Sequence, residues 1–283
     1  MSANFDPSLP PIDRLIDDIT TLVSRAAGAI AAIDRSAVAH RIKPDLSPVT
    51  AADEAAERLI LDALSRLLPR VPIVSEEAPA PTPAVKPEST FLLVDPLDGT
   101  REFLAGRDEF TVNIALVARG DPLAGWIAAP ALGVVWRGAA GYGAERLELP
   151  AGAEVGGCRR KSAIRTRRLP GENFVVAISR SHFDTRTEGY LARFPQAQHV
   201  ACGSSLKFCR IAEGGIDLYP RLAPIHEWDI AAGHAIVAAA GGIVARPGGE
   251  PLVYGRSEND YRVLGFIAYG DPASARKFSE PMN

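Results

Sequence analysis

The run Phe91-Leu-Leu-Val94 ends in Asp95-Pro-Leu-Asp98-Gly99-Thr100. Two carboxylates three residues apart, with Pro96 stiffening the turn between them, suit hard divalent cations, which take carboxylate, carbonyl and phosphate oxygens. Asp95 and Asp98 on one turn can serve two neighbouring ions. Gly99 lets the backbone approach a ligand closely, the amides that follow can hold a phosphate, and Thr100 adds a hydroxyl. Standing alone, an Asp-x-x-Asp-Gly turn more often caps its own amides. Three further segments weigh against that reading. Glu76-Glu77 close the preceding apolar segment, which predicts a neighbouring strand end. Trp228-Asp229 opens an alanine-rich helix, so a carboxylate stands at a helix N-terminus beside a large aromatic ring. Asp53, in Pro48-Val-Thr-Ala-Ala-Asp53, stands at another helix start.

The elements that must position these groups follow from hydrophobic spacing. From Ile12 to Ile33 apolar residues recur in steps of three and four, predicting a long amphipathic helix. Two prolines in Lys43-Pro-Asp-Leu-Ser-Pro48 break it. A second helix starts at Thr50, with Asp53 completing an acidic variant of a capping box, and runs to about Leu68. Val71–Val74 and Phe91–Val94 read as buried strands, separated by an exposed proline-rich loop from Ala78 to Pro87. Thr111–Val117 and Leu123–Ala129 predict paired strands turning at Gly120-Asp-Pro122, with Val134–Trp136 continuing the sheet. Beyond about residue 150 the pattern restarts. Strands are expected at Phe174–Ile178, Ile216–Tyr219 and Tyr261–Ile267, and helices at Thr185–Phe194, Ser204–Glu213 and Asp229–Ala240. The expectation is an α/β or α+β layered sandwich in two halves. Residues 1–150 form an α+β half with most of the carboxylates, and residues 151–283 an α/β half with Asp229.

Composition sets the outer limits. With 47% hydrophobic and 23% charged residues, the 283-residue chain has the balance of a folded protein with a substantial core. A net charge of −3 gives no reason to expect a nucleic-acid partner or a charged membrane surface. Cys158, Cys202 and Cys209 are too few for a disulfide framework and lack zinc-site spacing. No signal peptide is expected from the opening Met1–Asp6, and no apolar run reaches roughly 20 residues. A cytoplasmic protein is the simplest expectation, with peripheral association at the inner membrane left open.

Taken together, the Glu-Glu strand end, the Asp-Pro-hydrophobic-Asp-Gly-Thr turn and the distant Trp-Asp followed by Gly241-Gly242 resemble the inositol monophosphatase superfamily of lithium-sensitive phosphatases. The match runs in the right order from about residue 43 to 245. It implies the layered αβαβα sandwich of the inositol monophosphatase and fructose-1,6-bisphosphatase type, and a phosphomonoesterase using two or three Mg²⁺ ions. By resemblance, Glu76, Asp95 and the Leu97 carbonyl would bind a first metal, and Asp95, Asp98 and Asp229 a second. Thr100, with Asp53 behind it, would orient and help deprotonate the attacking water. Gly99 and Thr100 amides would grip the phosphate. The same resemblance places Glu77 with Thr100 and Asp53 among the catalytic groups.

Within the superfamily, Gly203-Ser-Ser-Leu-Lys-Phe-Cys-Arg-Ile-Ala-Glu-Gly214 is similar to the bisphosphate nucleotidase branch, which removes the 3′-phosphate of 3′-phosphoadenosine 5′-phosphate. Inositol monophosphatases carry small apolar residues in place of Ser205-Leu-Lys207, and a glutamate about seven residues before the Trp-Asp carboxylate. Here Arg221-Leu222 occupies that place, and a basic residue suits a second phosphate better than a polyol. Lys43-x-Asp45-x-Ser47-Pro48 and Ile178-Ser-Arg-Ser-His182 agree with the bacterial nucleotidases. The resemblance assigns Arg180, Ser204, Ser205, Lys207 and Arg221 to substrate contact, with His182 a weaker candidate. It implies a small phosphorylated nucleotide as substrate, possible action on its sulfated precursor, and a monomer or homodimer. Activity on inositol or sugar phosphates stays open.

Other chemistries lack their residues. A haloacid-dehalogenase-type turn has one residue between its aspartates, whereas Pro96 and Leu97 intervene here. None of the three cysteines has an arginine six residues on, and there is no phosphate loop or dinucleotide fingerprint. His226-Glu227 lacks the second histidine of a zinc protease helix. A silent anion-binding protein has no support in a chain that keeps every one of these carboxylates and Thr100.

Overall fold

The three-and-four spacing after Ile12 forms helix α1 (Ile12–Ala31), whose buried stripe includes Leu15, Ile19, Val23 and Ile30. Each such side chain contributes about 1.5–3 kcal/mol on leaving water. The structure, a computed structural model, describes residues 9–35, 38, 40–42, 48–171, 173–180 and 184–278. A short antiparallel ribbon, β1 (His40–Ile42) with β2 (Pro48–Thr50), leads into α2 (Ala51–Leu67). The expected capping box closes its start: Ala52 N donates to Thr50 Oγ1 at 3.1 Å and Thr50 N to Asp53 Oδ2 at 2.7 Å.

A seven-stranded sheet follows in sequence order: β3 (Ile73–Ser75), β4 (Thr90–Asp98), β5 (Thr111–Ala118), β6 (Asp121–Ala129), β7 (Val134–Ala139), β8 (Gly143–Glu148) and β9 (Arg160–Ile164). Only the β3–β4 pair is parallel. The one-turn α3 (Thr100–Leu104) leaves the end of β4. Strands β8 and β9 lack a continuous apolar signature, because Ala144 and Leu147 alone among their residues are buried.

The rest of the chain builds a five-stranded sheet, the helices around it and a separate ribbon. It comprises β10 (Val175–Ser179), α4 (Thr185–Leu191), β11 (Gln198–Cys202), α5 (Leu206–Ala212), β12 (Leu218–Arg221), β13 (Ile225–His226), α6 (Ala231–Ala239), β14 (Ile243–Ala245), β15 (Arg262–Val263), β16 (Phe266–Tyr269) and α7 (Ala275–Phe278). The sheet order is β11-β10-β12-β16-β14, while β13 and β15 pair apart as a ribbon. Two local expectations differ from this. The segment Tyr261–Ile267 is two strands, because the chain turns at Gly265, where φ is +150°, and β15 and β16 pair with different partners. The helix expected from Asp229 begins as a 3-10 turn, Glu227–Asp229, interrupted at Ile230 before α6.

Three hydrophobic clusters show the layers. Helices α1 and α2 cover one face of the large sheet through Leu92, Val94, Ile114 and Trp126. Its other face packs on α5 and α6 through Phe91, Leu93, Val117 and Trp136, and those helices also cover Tyr219, Phe266 and Ala268 of the small sheet. Helices α4 and α7 close the far side through Tyr190, Leu191 and Phe278. This is the expected αβαβα order. Helix α6 lies against β6 at Gly125, where a Cβ would fall 2.2 Å from the Ala232 carbonyl oxygen, so any side chain there would push the central layer away.

Candidate active site

Strand alternation aims Asp95. Leu92 and Val94 face α1 and α2, so Phe91, Leu93 and then Asp95 face the central helices. Between Asp95, opposite Asn113, and Asp98, opposite Thr111, β4 holds two residues where β5 holds one. This bulge contains Pro96, which has no N–H for the ladder, and it turns both carboxylates toward the same cleft. Leu97 N donates to Asp95 Oδ1 at 3.0 Å, whereas the buried Asp95 Oδ2 has no hydrogen-bond partner among the described residues.

Two more acids arrive from separate elements. The β3–β4 register pairs Ser75 with Val94, and Glu76 N continues it by donating to the Val94 carbonyl at 3.1 Å. Asp229 comes from the turn before α6, its Oδ2 accepting from His226 N at 3.2 Å. One carboxylate oxygen from each of Glu76, Asp95 and Asp229 lies within 4.8 Å of the others. Burial, then the charges of Glu76, Asp98 and Asp229, push the Asp95 carboxyl well above the ordinary range. Asp229 is pushed up by burial and by Asp98 and Glu76, with the His226 amide and Arg221 working against the shift.

Asp98 is held differently. Its Oδ2 accepts from Ser204 Oγ at 2.8 Å, Ser205 N at 2.7 Å and Ser205 Oγ at 2.8 Å. Ser204 stands at φ +55°, and Lys207 fixes that turn by donating to the carbonyls of Cys202 (3.1 Å) and Ser204 (2.6 Å). Lys207 is only 3% exposed, so it is no solvated surface charge. Beneath the serines, Asn113 Nδ2 donates to Ser205 Oγ at 2.8 Å and Thr111 Oγ1 contacts Ser204 Oγ at 2.6 Å.

On the other side of the bulge Gly99 has φ +94°, and a Cβ there would meet the Glu109 carbonyl at 3.0 Å. Thr100, the first residue of α3, donates from Oγ1 toward Asp53 Oδ1 (3.0 Å) and the Leu97 carbonyl (3.1 Å). Asp53 Oδ2 accepts from Thr50 N and, at 2.6 Å, Thr50 Oγ1. Burial raises the Asp53 carboxyl, while the hydrogen bonds from Thr50 and Thr100 work against it.

The cleft is lined by Glu76, Asp95, Leu97, Asp98, Gly99, Thr100, Ser204, Ser205, Lys207, Arg221 and Asp229, together with Trp228, whose ring stacks on His226 at 4.4 Å. Arg221 enters it with a buried Nε that has no partner among the described residues. Two expected residues stand elsewhere. Glu77 is not in the lining, and Arg180 is held at the rim by a bidentate pair with Glu109 (2.7 and 3.0 Å) and a bond to the Ala201 carbonyl. Ser181, His182 and residues 43–47 lie outside the described residues. Sequence reasoning passed over Thr111, Asn113 and Glu109. The first two left a signal: polar residues at alternate positions on one face of an otherwise apolar strand, Thr111-Val-Asn-Ile-Ala-Leu-Val117.

A sequence profile described as the Inositol monophosphatase family matches residues 16–274. This chain belongs to that family. Among relatives within it, the 3′(2′),5′-bisphosphate nucleotidase CysQ of Escherichia coli K12 is 42% identical over 242 residues, covering 85% of this chain and 94% of its own. The same-named protein of Buchnera aphidicola is 38% identical over 264 residues, covering 93% and 94%. The crystal structure of CysQ from Bacteroides thetaiotaomicron, a member of the family, is similar with TM-score 0.71 and 32% identity over 91% of this chain and 97% of that one. An inositol monophosphatase from Zymomonas mobilis is similar with TM-score 0.74 and 26% identity over 95% and 97%. Among the described residues no helix is long and apolar enough to cross a membrane.

Proposed function

We propose that this family member is a bisphosphate nucleotidase that hydrolyses the 3′-phosphate of 3′-phosphoadenosine 5′-phosphate to give AMP and phosphate. The observation that carries the reading is the convergence of Glu76, Asp95 and Asp229 within 4.8 Å, with the buried Asp95 Oδ2 unpartnered. Such a cluster is electrostatically incomplete without a cation, so the donor set fits divalent metal. Oxygen-only ligands point to Mg²⁺. Glu76, Asp95, Asp98, Asp229 and the Leu97 carbonyl would hold it. When bound, it supplies charge stabilisation at the phosphoryl oxygens and acidifies water.

The chain's own groups do the rest. The Gly99 and Thr100 amides hold the phosphate on the left-handed turn. Thr100 Oγ1 accepts a proton from the attacking water while passing its own to Asp53 Oδ1, whose raised pKa suits a transient acceptor. The new P–O bond forms in line as the bond to the ribose oxygen breaks, and that oxygen takes a proton from solvent water to leave as a hydroxyl, while Asp53 returns its proton to solvent. Ser204 and Ser205 occupy one oxygen of Asp98 and leave the other for the cleft. Arg221 faces the second phosphate. The relatives named CysQ, at 42% identity, support the bisphosphate over an inositol phosphate.

Phosphate release from 3′-phosphoadenosine 5′-phosphate, its sulfated precursor and inositol 1-phosphate, measured in parallel with Mg²⁺ and an Asp95→Asn blank, tests this. A preference for the bisphosphate that vanishes in the variant is expected. A preference for inositol 1-phosphate would overturn the substrate assignment and leave the metal chemistry in place.

A further inference from the structure

A second concavity, of about 1000 Å³, lies between α4 and the 246–265 segment and shares no lining residue with the carboxylate cleft. Five guanidiniums line it: Arg186 and Arg193 from α4 and its end, Arg246, Arg256, and Arg262 of β15. Against them stands Glu250, in a chain whose net charge is −3. Among the described residues, Arg246 and Arg262 have no carboxylate within ion-pair distance. Arg256 pairs with Glu258 at 3.4 Å, yet its buried Nε has no hydrogen-bond partner among the described residues. Arg193 is braced over the Tyr190 ring at 5.2 Å.

Like charges gathered in a concave surface repel one another and raise the local potential, which an anion relieves. Guanidinium forks match phosphate oxygens in pairs. The volume is that of a small-molecule site. Leu252 and the 76% exposed Leu264 add an apolar edge. We propose that this groove is a second anion site, separate from the hydrolytic cleft, taking a small molecule with two or more phosphate charges.

The groove also adjoins the catalytic turn. In the β13–β15 ribbon, Ile225 and His226 line the cleft while their partners Val263 and Arg262 line the groove. The buried Glu227, two residues before Asp229, accepts from Gly255 N at 2.7 Å and Arg256 N at 3.0 Å. A ligand gripping Arg256 and Arg262 therefore rests on the segment that carries Asp229. The groove's arginines are the same whichever phosphate ester the cleft hydrolyses.

The test is calorimetric titration of the metal-free protein, in EDTA, with inorganic pyrophosphate and separately with AMP. Saturable pyrophosphate binding is expected, weakened about tenfold or more by Arg193→Glu or Arg246→Glu, both exposed positions, and unchanged by Arg221→Ala in the cleft. AMP bound more tightly than pyrophosphate and weakened by Arg246→Glu would show the apolar edge reading a nucleoside. The reverse order would show charge alone being read, and either result supports the site. AMP binding weakened only by Arg221→Ala belongs to the cleft and counts against a nucleoside in the groove. As a measurement free of variants, pyrophosphate should protect Arg246 and Arg262 from phenylglyoxal, read by mass spectrometry. No saturable binding into the millimolar range, binding lost with Arg221→Ala, or no protection of those arginines would overturn the proposal.

Discussion

Replacing Asp95 by asparagine should make the metal-free protein more stable. The carboxylate oxygens of Glu76, Asp95 and Asp229 lie within 4.8 Å. At an effective dielectric of about 20, two full charges at that separation repel by about 3 kcal/mol. Asp95 takes part in two of the three pairs. The fold avoids the full penalty by retaining protons, which is why Asp95 and Asp229 are both pushed upward. The substitution is nearly isosteric, and the amide oxygen can still accept from Leu97 N, now made to Asp95 Oδ1. The released repulsion is therefore expected to amount to about 1–3 kcal/mol, or about 2–6 °C in Tm for a chain of this size. The sign with pH follows from the raised carboxyls. Their protonated form favours the fold below the ordinary carboxylate range, and that support is lost as pH rises through the shifted values. The gap between variant and wild type should thus be small near pH 4 and widen toward pH 8. Thermal melts in EDTA across that range measure it. Adding Mg²⁺ should raise the wild-type Tm, by the equivalent of about 2.7 kcal/mol at a hundred times Kd, and raise the variant's far less. A metal-free variant that melts below wild type, or that gains as much from Mg²⁺, would refute the electrostatic account.

Thr100→Ala should lower kcat about 10²–10³-fold with little change in Tm, and Thr100→Ser should recover most of it, because the hydroxyl toward Asp53 is the functional part. Steady-state phosphate release decides this. Arg221→Ala should raise KM for the bisphosphate about 10–100-fold and leave inositol 1-phosphate kinetics unchanged, as expected for losing one charge-assisted contact. His234 predicts an acid-side effect. Burial lowers its pKa to about 4 from 6.5, its Nδ1 meeting Tyr254 Oη at 2.9 Å. Its neutral form supports the fold fully above pH 6.5, and that support is lost as pH falls toward 4. Allowing for the ring's partial exposure, the loss is about 2–3 kcal/mol. Chemical denaturation at pH 7 and pH 4.5 should show a smaller acid loss in His234→Gln than in wild type.

What the sequence disclosed, and what it hid, divides by the range of the physics involved. Helices α1 and α2 were legible because an apolar stripe and a capping box are local, and Thr50 and Asp53 cap α2 as their spacing says. The ends of β3 and β4 could be placed side by side because two short apolar runs each closed on acids. The 3-10 start at Glu227–Asp229 was hidden, since it depends on Asp229 capping the His226 amide and on Glu227 reaching across to Gly255 and Arg256. No local propensity encodes a partner 28 residues away.

The same distinction separates the two kinds of basic residue. The family resemblance groups Arg180 and Lys207 with Arg221 as substrate contacts, yet sequence says nothing of who answers each charge. Glu109 answers Arg180 at the rim, and two backbone carbonyls answer Lys207 in the interior. Lys207 and Arg221 both line the cleft, but of the three Arg221 alone has a buried nitrogen unanswered among the described residues. A guanidinium left unsatisfied beside a carboxylate cluster is costly in the free protein, and that cost is recovered only when an anion arrives. In the proposed nucleotidase its fixed place would set the distance from the scissile phosphate at which a second phosphate is accepted. Selectivity for a bisphosphate would thus rest on which cation the described residues leave without a partner.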